Sequence, residues 1–160
     1  MASKGNTALD KGIPQLTDAF VVIVKTEWNA RITDELEAGC KRMLEMNRIA
    51  SETYIVPGAF EIPFAIKTIY SAPGKTPNAF VAFAAVIKGD TPHFDYVCKG
   101  ITDGITQLNL TLDVPTIFGV LTVNNEEQAL ERIGGVHGHK GEEAAITAIK
   151  TIAFYRGLYQ

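Results

Sequence analysis

Apolar and polar positions fall in long blocks along this chain, and the blocks predict its elements. From Val81 to Ile87 (VAFAAVI) no side chain is polar, the pattern of a strand covered on both faces of a sheet. At Lys88 the character flips. Lys88-Gly89-Asp90-Thr91-Pro92-His93 is a polar turn with a proline placed to start a helix, and helical spacing runs from about Phe94 to Leu112. Earlier, Ala19 to Lys25 (AFVVIVK) is a β-branched run and predicts a strand. Thr26-Glu27-Trp28-Asn29 breaks it, and a helix follows with Ile32, Leu36, Cys40, Met43 and Asn47 close to one face. Thr53 to Val56 (TYIV) predicts a second strand. Pro57-Gly58-Ala59 ends it, and Glu61-Ile62-Pro63 starts a helix, where an early proline is tolerated because its missing N–H would have no intrahelical partner. Residues 71–78 (SAPGKTPN) read as a loop. Val114 to Thr122 predicts a further strand, with Pro115 at its start. Asn124 or Asn125 can cap a short helix, EEQALERI. The glycine-rich GGVHGHKG then leads into a last helix, Gly141 to Tyr155, whose Ala144, Ala145, Ala148, Ile149 and Ile152 supply an apolar side.

Strand followed by helix, four times over, with one extra terminal helix, argues for a parallel sheet joined by right-handed crossovers. The expected fold is an α/β, flavodoxin-like three-layer α/β/α sandwich with a four-stranded parallel sheet, which an N-terminal arm could extend. Residues 19–160 are expected to form a single domain and residues 1–18 a flexible arm, since those eighteen have neither the apolar core of a signal peptide nor the Arg-rich character of a transit peptide. No internal repeat or domain boundary is visible. A length of 160 residues suits one domain with a real core.

Charge narrows the partners. Fifteen basic against eighteen acidic side chains give net −3 with no basic run, which does not favour nucleic acid or an anionic membrane. No apolar segment reaches the roughly 18–20 residues of a membrane helix. Cys40 and Cys98 lie in helical patterns without CxxC spacing, so a cytoplasmic location with buried thiols is expected. The sequon at Asn109 lies within a helix pattern and carries no weight.

In open α/β folds ligands gather at the carboxyl ends of the strands, so the three turns TEWN, VPGAFE and KGDTPH should meet at one edge. Trp28, the only tryptophan, offers a flat surface for a heteroaromatic ring, or equally a packing residue. Gly58 and Ala59 would let backbone groups approach a ligand. Glu61 either complements the helix dipole or holds ligand hydroxyls. Gly89, Asp90 and Thr91 resemble an anion cradle at a helix N-terminus, although the Asp90 charge would repel a phosphate unless it turns away. His93 at a strand end suits proton transfer near neutrality. Arg132 and Lys140 flank a loop that could bring both cations to an anionic group. His137 and His139 would offer two metal ligands, but no third is near in sequence. No nucleotide-binding glycine motif and no serine elbow is present.

VPGAFEIP at 56–63, KGDTPHFDYV at 88–97, FGVLTVNNEEQALER at 118–132 and the GHKG loop before the last helix together resemble the lumazine synthases of riboflavin biosynthesis, over nearly the whole chain from Ala19. The resemblance implies condensation of 5-amino-6-(D-ribitylamino)uracil with 3,4-dihydroxy-2-butanone 4-phosphate to 6,7-dimethyl-8-ribityllumazine, releasing phosphate, with no metal or organic cofactor. It implies a homo-oligomer, either a pentamer or a 60-subunit icosahedral shell, with sites between subunits. Carried over by motif, Trp28 would stack on the pyrimidine ring. Ala59, Phe60 and Glu61 would hold the ribityl chain, and Val86 and Ile87 would line the ring pocket. Gly89, Asp90 and Thr91 would surround the phosphate, and His93 would move protons. Phe118, Arg132 and Lys140 would come from the adjacent subunit, Arg132 chiefly on phosphate.

Two positions depart from the family's pattern: His139 stands where asparagine is common, and Lys88 where arginine is frequent. The short loop before Lys140 lacks the insertion of some purely pentameric members, which leans toward the shell. Two other readings fit the same fold, a flavin-binding module without turnover and a shell protein with a decayed site. Retention of Glu61, His93, Arg132 and Lys140 speaks against decay.

Overall fold

The structure, a computed structural model, describes residues 9–74 and 76–159. Strand β1 (Phe20–Thr26) leads into helix α1 (Ala30–Met46) and strand β2 (Ala50–Val56). A single 3-10 turn at Ala59–Glu61 opens helix α2 (Ile62–Ser71). Strand β3 (Ala79–Ile87), helix α3 (His93–Thr111), strand β4 (Thr116–Val123) and the short helix α4 (Glu126–Leu130) follow. Two small strands, β5 (Ile133–Gly135) and β6 (Gly138–His139), precede helix α5 (Lys140–Leu158). The main sheet has four strands in the order β2-β1-β3-β4, all parallel. The three-layer sandwich is therefore present, with β3 inside the sheet.

The apolar runs of β1 and β3 exist because each strand feeds two cores. Val21 and Ile23, with Ala79, Val81, Phe83 and Ala85, face α1 and α5, where Ile32, Leu36, Cys40, Leu44, Ala145 and Ile149 are buried. Val22 and Val24, with Phe80, Ala82 and Ala84, face α2 and α3, where Ile62, Ile66, Ile101 and Ile105 are buried. Successive residues of a strand point to opposite faces, so a two-sided strand cannot alternate with polar residues. β2 is an edge strand and largely exposed. Its first residues, Ala50 to Glu52, carry no apolar signal, and the strand starts three residues ahead of the expected Thr53. β4 begins at Thr116 rather than Val114. Asn109 of α3 closes that junction, donating to the Thr116 carbonyl at 3.0 Å and accepting from the Thr116 N–H at 2.7 Å.

The segment expected as a loop after α4 is an antiparallel hairpin, β5 with β6. Gly134 at φ 113° and Gly138 at φ 75° supply backbone conformations that other residues rarely adopt. The hairpin lies against α1, where His139 packs so closely on Gly39 that a Cβ there would sit 2.1 Å from the imidazole Cε1. Residues 9–18 contain no helix or strand and add nothing to the sheet. They lie along α5, whose Lys150 donates to the carbonyls of Leu9 (2.6 Å) and Lys11 (3.0 Å) and whose Arg156 donates to that of Thr17 (2.7 Å). The rest of the expected flexible arm, residues 1–8, lies outside the described residues. Cys40 is buried, and burial pushes its thiol up to about 12; Cys98, expected buried too, is only partly so. Among the described residues no helix is long and apolar enough to cross a membrane.

One charged network ties β1, α1 and β2 together. Lys25 pairs with Asp34 at 2.7 Å and with Glu37, and Glu37 also accepts from Lys41 at 2.6 Å and Thr53 at 2.7 Å. Burial opposes the charge on Glu37, yet the hydrogen bonds from Lys25, Lys41 and Thr53 outweigh it and bring the carboxyl down to about 2. Folding thus favours ionised Glu37, a contribution complete above the ordinary value of 4.5 and lost as pH falls toward about 2. Glu37→Gln is expected to cost about 1–3 kcal/mol at pH 7, because it leaves Lys25 short of a partner. The gap between variant and wild type should shrink at pH 3, read as denaturation midpoints. A gap independent of pH would show that Glu37 is not stabilised as an anion.

Candidate active site

Three βα turns converge at the carboxyl end of the sheet around a cleft of about 750 Å³, within the roughly 300–1,000 Å³ range of small-molecule sites. The first wall is the turn after β1, with Thr26, Trp28 and Asn29; the second is Gly58 to Glu61; the third is the end of β3, Ala84 to Ile87. Gly89, Thr91 and the first turns of α3, through His93, Phe94, Tyr96 and Val97, close the remaining side. The indole of Trp28 is 74% exposed and Phe60 63% exposed, so the cleft presents bare aromatic surface. Gly58 is where a carboxylate needs room. A Cβ there would lie 3.0 Å from Glu61 Oε2, and the Glu61 N–H donates to the Gly58 carbonyl at 3.2 Å. The His93 N–H donates to the Thr91 hydroxyl at 3.4 Å, which folds the turn onto the start of α3. The start of α3 also carries the positive end of the helix dipole, which suits an anion.

A second polar cluster forms at the hairpin. The Lys140 N–H donates to the Arg132 carbonyl at 2.8 Å, bringing the two cationic residues side by side. Arg132 donates to the Gln128 carbonyl at 2.6 Å, while the Lys140 ammonium lies 2.8 Å from both carboxylate oxygens of Glu143. The turn that carries Arg132 is firm, because Asn125 accepts from the Gln128 N–H and Gln128 accepts from the Asn124 N–H, each at 2.9 Å. His137 lies 3.6 Å from Glu131. Burial against α1 lowers the His139 pKa. Among the described residues no three His, Cys, Asp or Glu side chains gather so as to hold a metal ion.

The sequence model of the 6,7-dimethyl-8-ribityllumazine synthases matches residues 18–156. Relatives bearing that name include a protein of Parabacteroides distasonis, 44% identical over 145 residues and covering 89% of each chain. One of Bacteroides fragilis is 47% identical over 135 residues, 82% of this chain and 93% of its own. One of Christiangramia forsetii is 43% identical over 169 aligned positions, 98% of this chain and all of its own length (100%). The chain belongs to the 6,7-dimethyl-8-ribityllumazine synthase family.

In this chain the cleft gathers Trp28, Ala59, Phe60, Glu61, Val86, Ile87, Gly89, Thr91 and His93, nine of the positions expected from sequence. Asp90 sits between two of them but is exposed and does not line the cleft. An ionised carboxylate left in water avoids the cost of desolvation and keeps its charge away from the anion cradle. Phe118, Arg132 and Lys140 are likewise absent from the cleft lining of their own chain. Phe118 lies on β4, the edge strand farthest from β2, and is 43% exposed. Sequence reasoning missed Thr26, Asn29, Ala84, Ala85, Phe94, Tyr96 and Val97. For the last three a signal existed, because helical spacing places Tyr96 and Val97 on the same side as His93, and Phe94 three positions before Val97. Asn29 gave none, since its role depends on a strand far away in sequence.

Proposed function

We propose that this chain joins 5-amino-6-(D-ribitylamino)uracil to 3,4-dihydroxy-2-butanone 4-phosphate at the described cleft, forming 6,7-dimethyl-8-ribityllumazine and releasing phosphate and water. The observation that carries this assignment of the site is the convergence of the TEWN, PGAFE and KGDTPH turns on one cavity. The pyrimidine ring stacks on Trp28 against the ends of β3, near Val86 and Ile87. Ala59, Phe60 and Glu61 hold the ribityl hydroxyls. Gly89, Thr91 and the N-terminus of α3 receive the phosphate, and Asp90 stays in solvent.

The chemistry needs positioned groups and no covalent nucleophile. The uracil amine attacks the ketone carbonyl and water leaves, giving an imine. Phosphate is then eliminated to leave an enol, which tautomerises to a ketone by taking a proton on the terminal carbon, and the ribityl-bearing nitrogen closes the ring on that new carbonyl with loss of a second water. His93 relays protons in these steps, and the departing dianion is met by backbone N–H groups and cations. Holding two reactants together supplies much of the acceleration, since well-oriented pairs reach effective molarities of about 10⁵ M or more.

Arg132 and Lys140 do not line this cleft in their own chain, so we assign them, with Phe118, to the cleft of a neighbouring copy. The pentamer or 60-subunit shell implied by the family provides such a neighbour, and the exposed Trp28, Phe60 and Tyr96 give it apolar surface to cover. We place the reaction in the cytoplasm, where free thiols such as Cys40 and Cys98 persist. Mixing both substrates with the purified protein should generate lumazine fluorescence. Trp28→Ala should raise KM for the pyrimidine about 5- to 100-fold, the usual worth of one base–aromatic stack. No product from the folded wild type would refute the assignment, and an unchanged KM would remove Trp28 from it.

A further inference from the structure

Trp28 is 74% exposed, so packing within the chain holds it little, and its place must come from the backbone beneath it. That backbone is tied at four points. The Glu27 N–H donates to the Val56 carbonyl at 2.8 Å and the Trp28 N–H to that of Pro57 at 3.2 Å. The Thr26 hydroxyl donates to the Trp28 carbonyl at 2.9 Å. The fourth tie runs to the neighbouring strand β3, where the Asn29 amide donates to the Ala85 carbonyl at 2.7 Å. The β1–β3 ladder ends with Lys25 opposite Phe83, so two residues further along β3 the Asn29 side chain takes over as donor. Asn29 also adopts φ 58° and ψ 41°, a left-handed conformation that asparagine tolerates better than most residues. Its carbonyl accepts from the N–H groups of Ile32 (2.8 Å) and Thr33 (3.1 Å), starting α1.

We propose that Asn29 is a positioning residue for the reaction: its left-handed backbone turns Trp28 toward the cleft, and its amide sets the gap between the indole and the end of β3. Without the tether the gap varies, and a ring held between Trp28 and Val86 loses one of its faces. The inference rests on the stacking role assigned to Trp28 above. It concerns the pyrimidine alone, because the tether joins the turn of Trp28 to Ala85 and includes no residue of the anion cradle at Gly89 to Thr91.

Two substitutions test the tether, one by removing it and one by reversing its polarity. Asn29→Gly keeps the left-handed backbone and removes only the tether. Asn29→Asp keeps the shape but sets a carboxylate oxygen against the Ala85 carbonyl. Asn29→Gly should raise KM for 5-amino-6-(D-ribitylamino)uracil about 3- to 10-fold, the usual net worth of one hydrogen bond. For Asn29→Asp about 5- to 100-fold is expected, because a carbonyl is left facing an unpaired charge. In both, kcat and KM for the butanone phosphate should stay within about twofold of wild type, since only ground-state binding of one substrate is touched. The single tryptophan gives a second readout, and its fluorescence titration with the pyrimidine alone should shift by the same factors. If both variants only lower the melting temperature and leave pyrimidine KM and titration at wild-type values, Asn29 merely starts a helix and the inference is wrong. Should Asn29→Asp fail to fold, Asn29→Gly decides alone. A Trp28→Ala variant without effect would instead undo the stacking assignment, and wild type without product would undo the function itself.

Discussion

Replacing Arg132 by alanine is expected to lower kcat/KM by roughly 10²- to 10³-fold, the usual cost of losing one group that stabilises developing charge in a transition state. The departing phosphate carries that charge, and a guanidinium matches its oxygens with two parallel donors. Arg132 also braces its own chain, donating to the Gln128 carbonyl at 2.6 Å, so a loss of activity could come from a loosened α4. Arg132→Lys separates the causes. It keeps a positive charge without the fork, and should recover part of the rate only if charge at the phosphate is what matters. Melting temperatures of both variants monitor the brace. The stronger test exploits the proposed sharing of the site between copies. Arg132→Ala supplies an intact cleft and Trp28→Ala an intact cation, so subunits of the two mixed one to one before assembly should regain about a quarter of wild-type sites by random pairing. No recovery from a mixed assembly would mean that Arg132 serves its own chain or no site at all, and unchanged kinetics in the single variant would remove it outright.

His93→Ala is expected to slow turnover by roughly 10- to 10³-fold without abolishing it, the range typical of one general acid–base group. The residue opens α3 and is exposed at the cleft, so its removal should leave the fold intact. Activity should persist because the juxtaposition of two reactants is supplied by Trp28, Glu61 and the anion cradle. The fall should appear in kcat, while KM for both substrates moves little, since proton transfer belongs to the transition state. A folded His93→Ala protein with no activity would show that the imidazole does more than relay protons; a wild-type rate would assign that task to water.

Both predictions were legible before any coordinates because they rest on local signals. A polar turn after a two-sided strand locates a ligand-binding edge whatever the rest of the chain does. The motifs around Glu61, His93 and Arg132 carry the family resemblance in continuous stretches. Less legible was what an edge strand does with its polar residues. Ala50 to Glu52 give no strand signal because a strand with one exposed face and one unpaired edge needs no apolar run. The glycine-rich stretch read as a loop because its strands are only three and two residues long, too short to show a period of two.

From sequence alone came the alternation of elements, the two-sided burial of β3, the shared edge for three turns and the placing of His93 and Glu61 at one cleft. Each of these follows from periodicity or motif, which neighbouring residues encode by themselves. The tertiary structure decided the order β2-β1-β3-β4 and the tether from Asn29 to Ala85 across 56 positions. It also decided the Lys25–Glu37 network and the absence of Arg132 and Lys140 from their own cleft. Those facts depend on which strands lie side by side, and strand order is settled by how both faces of the sheet find cover, a property of the whole chain that no short stretch contains.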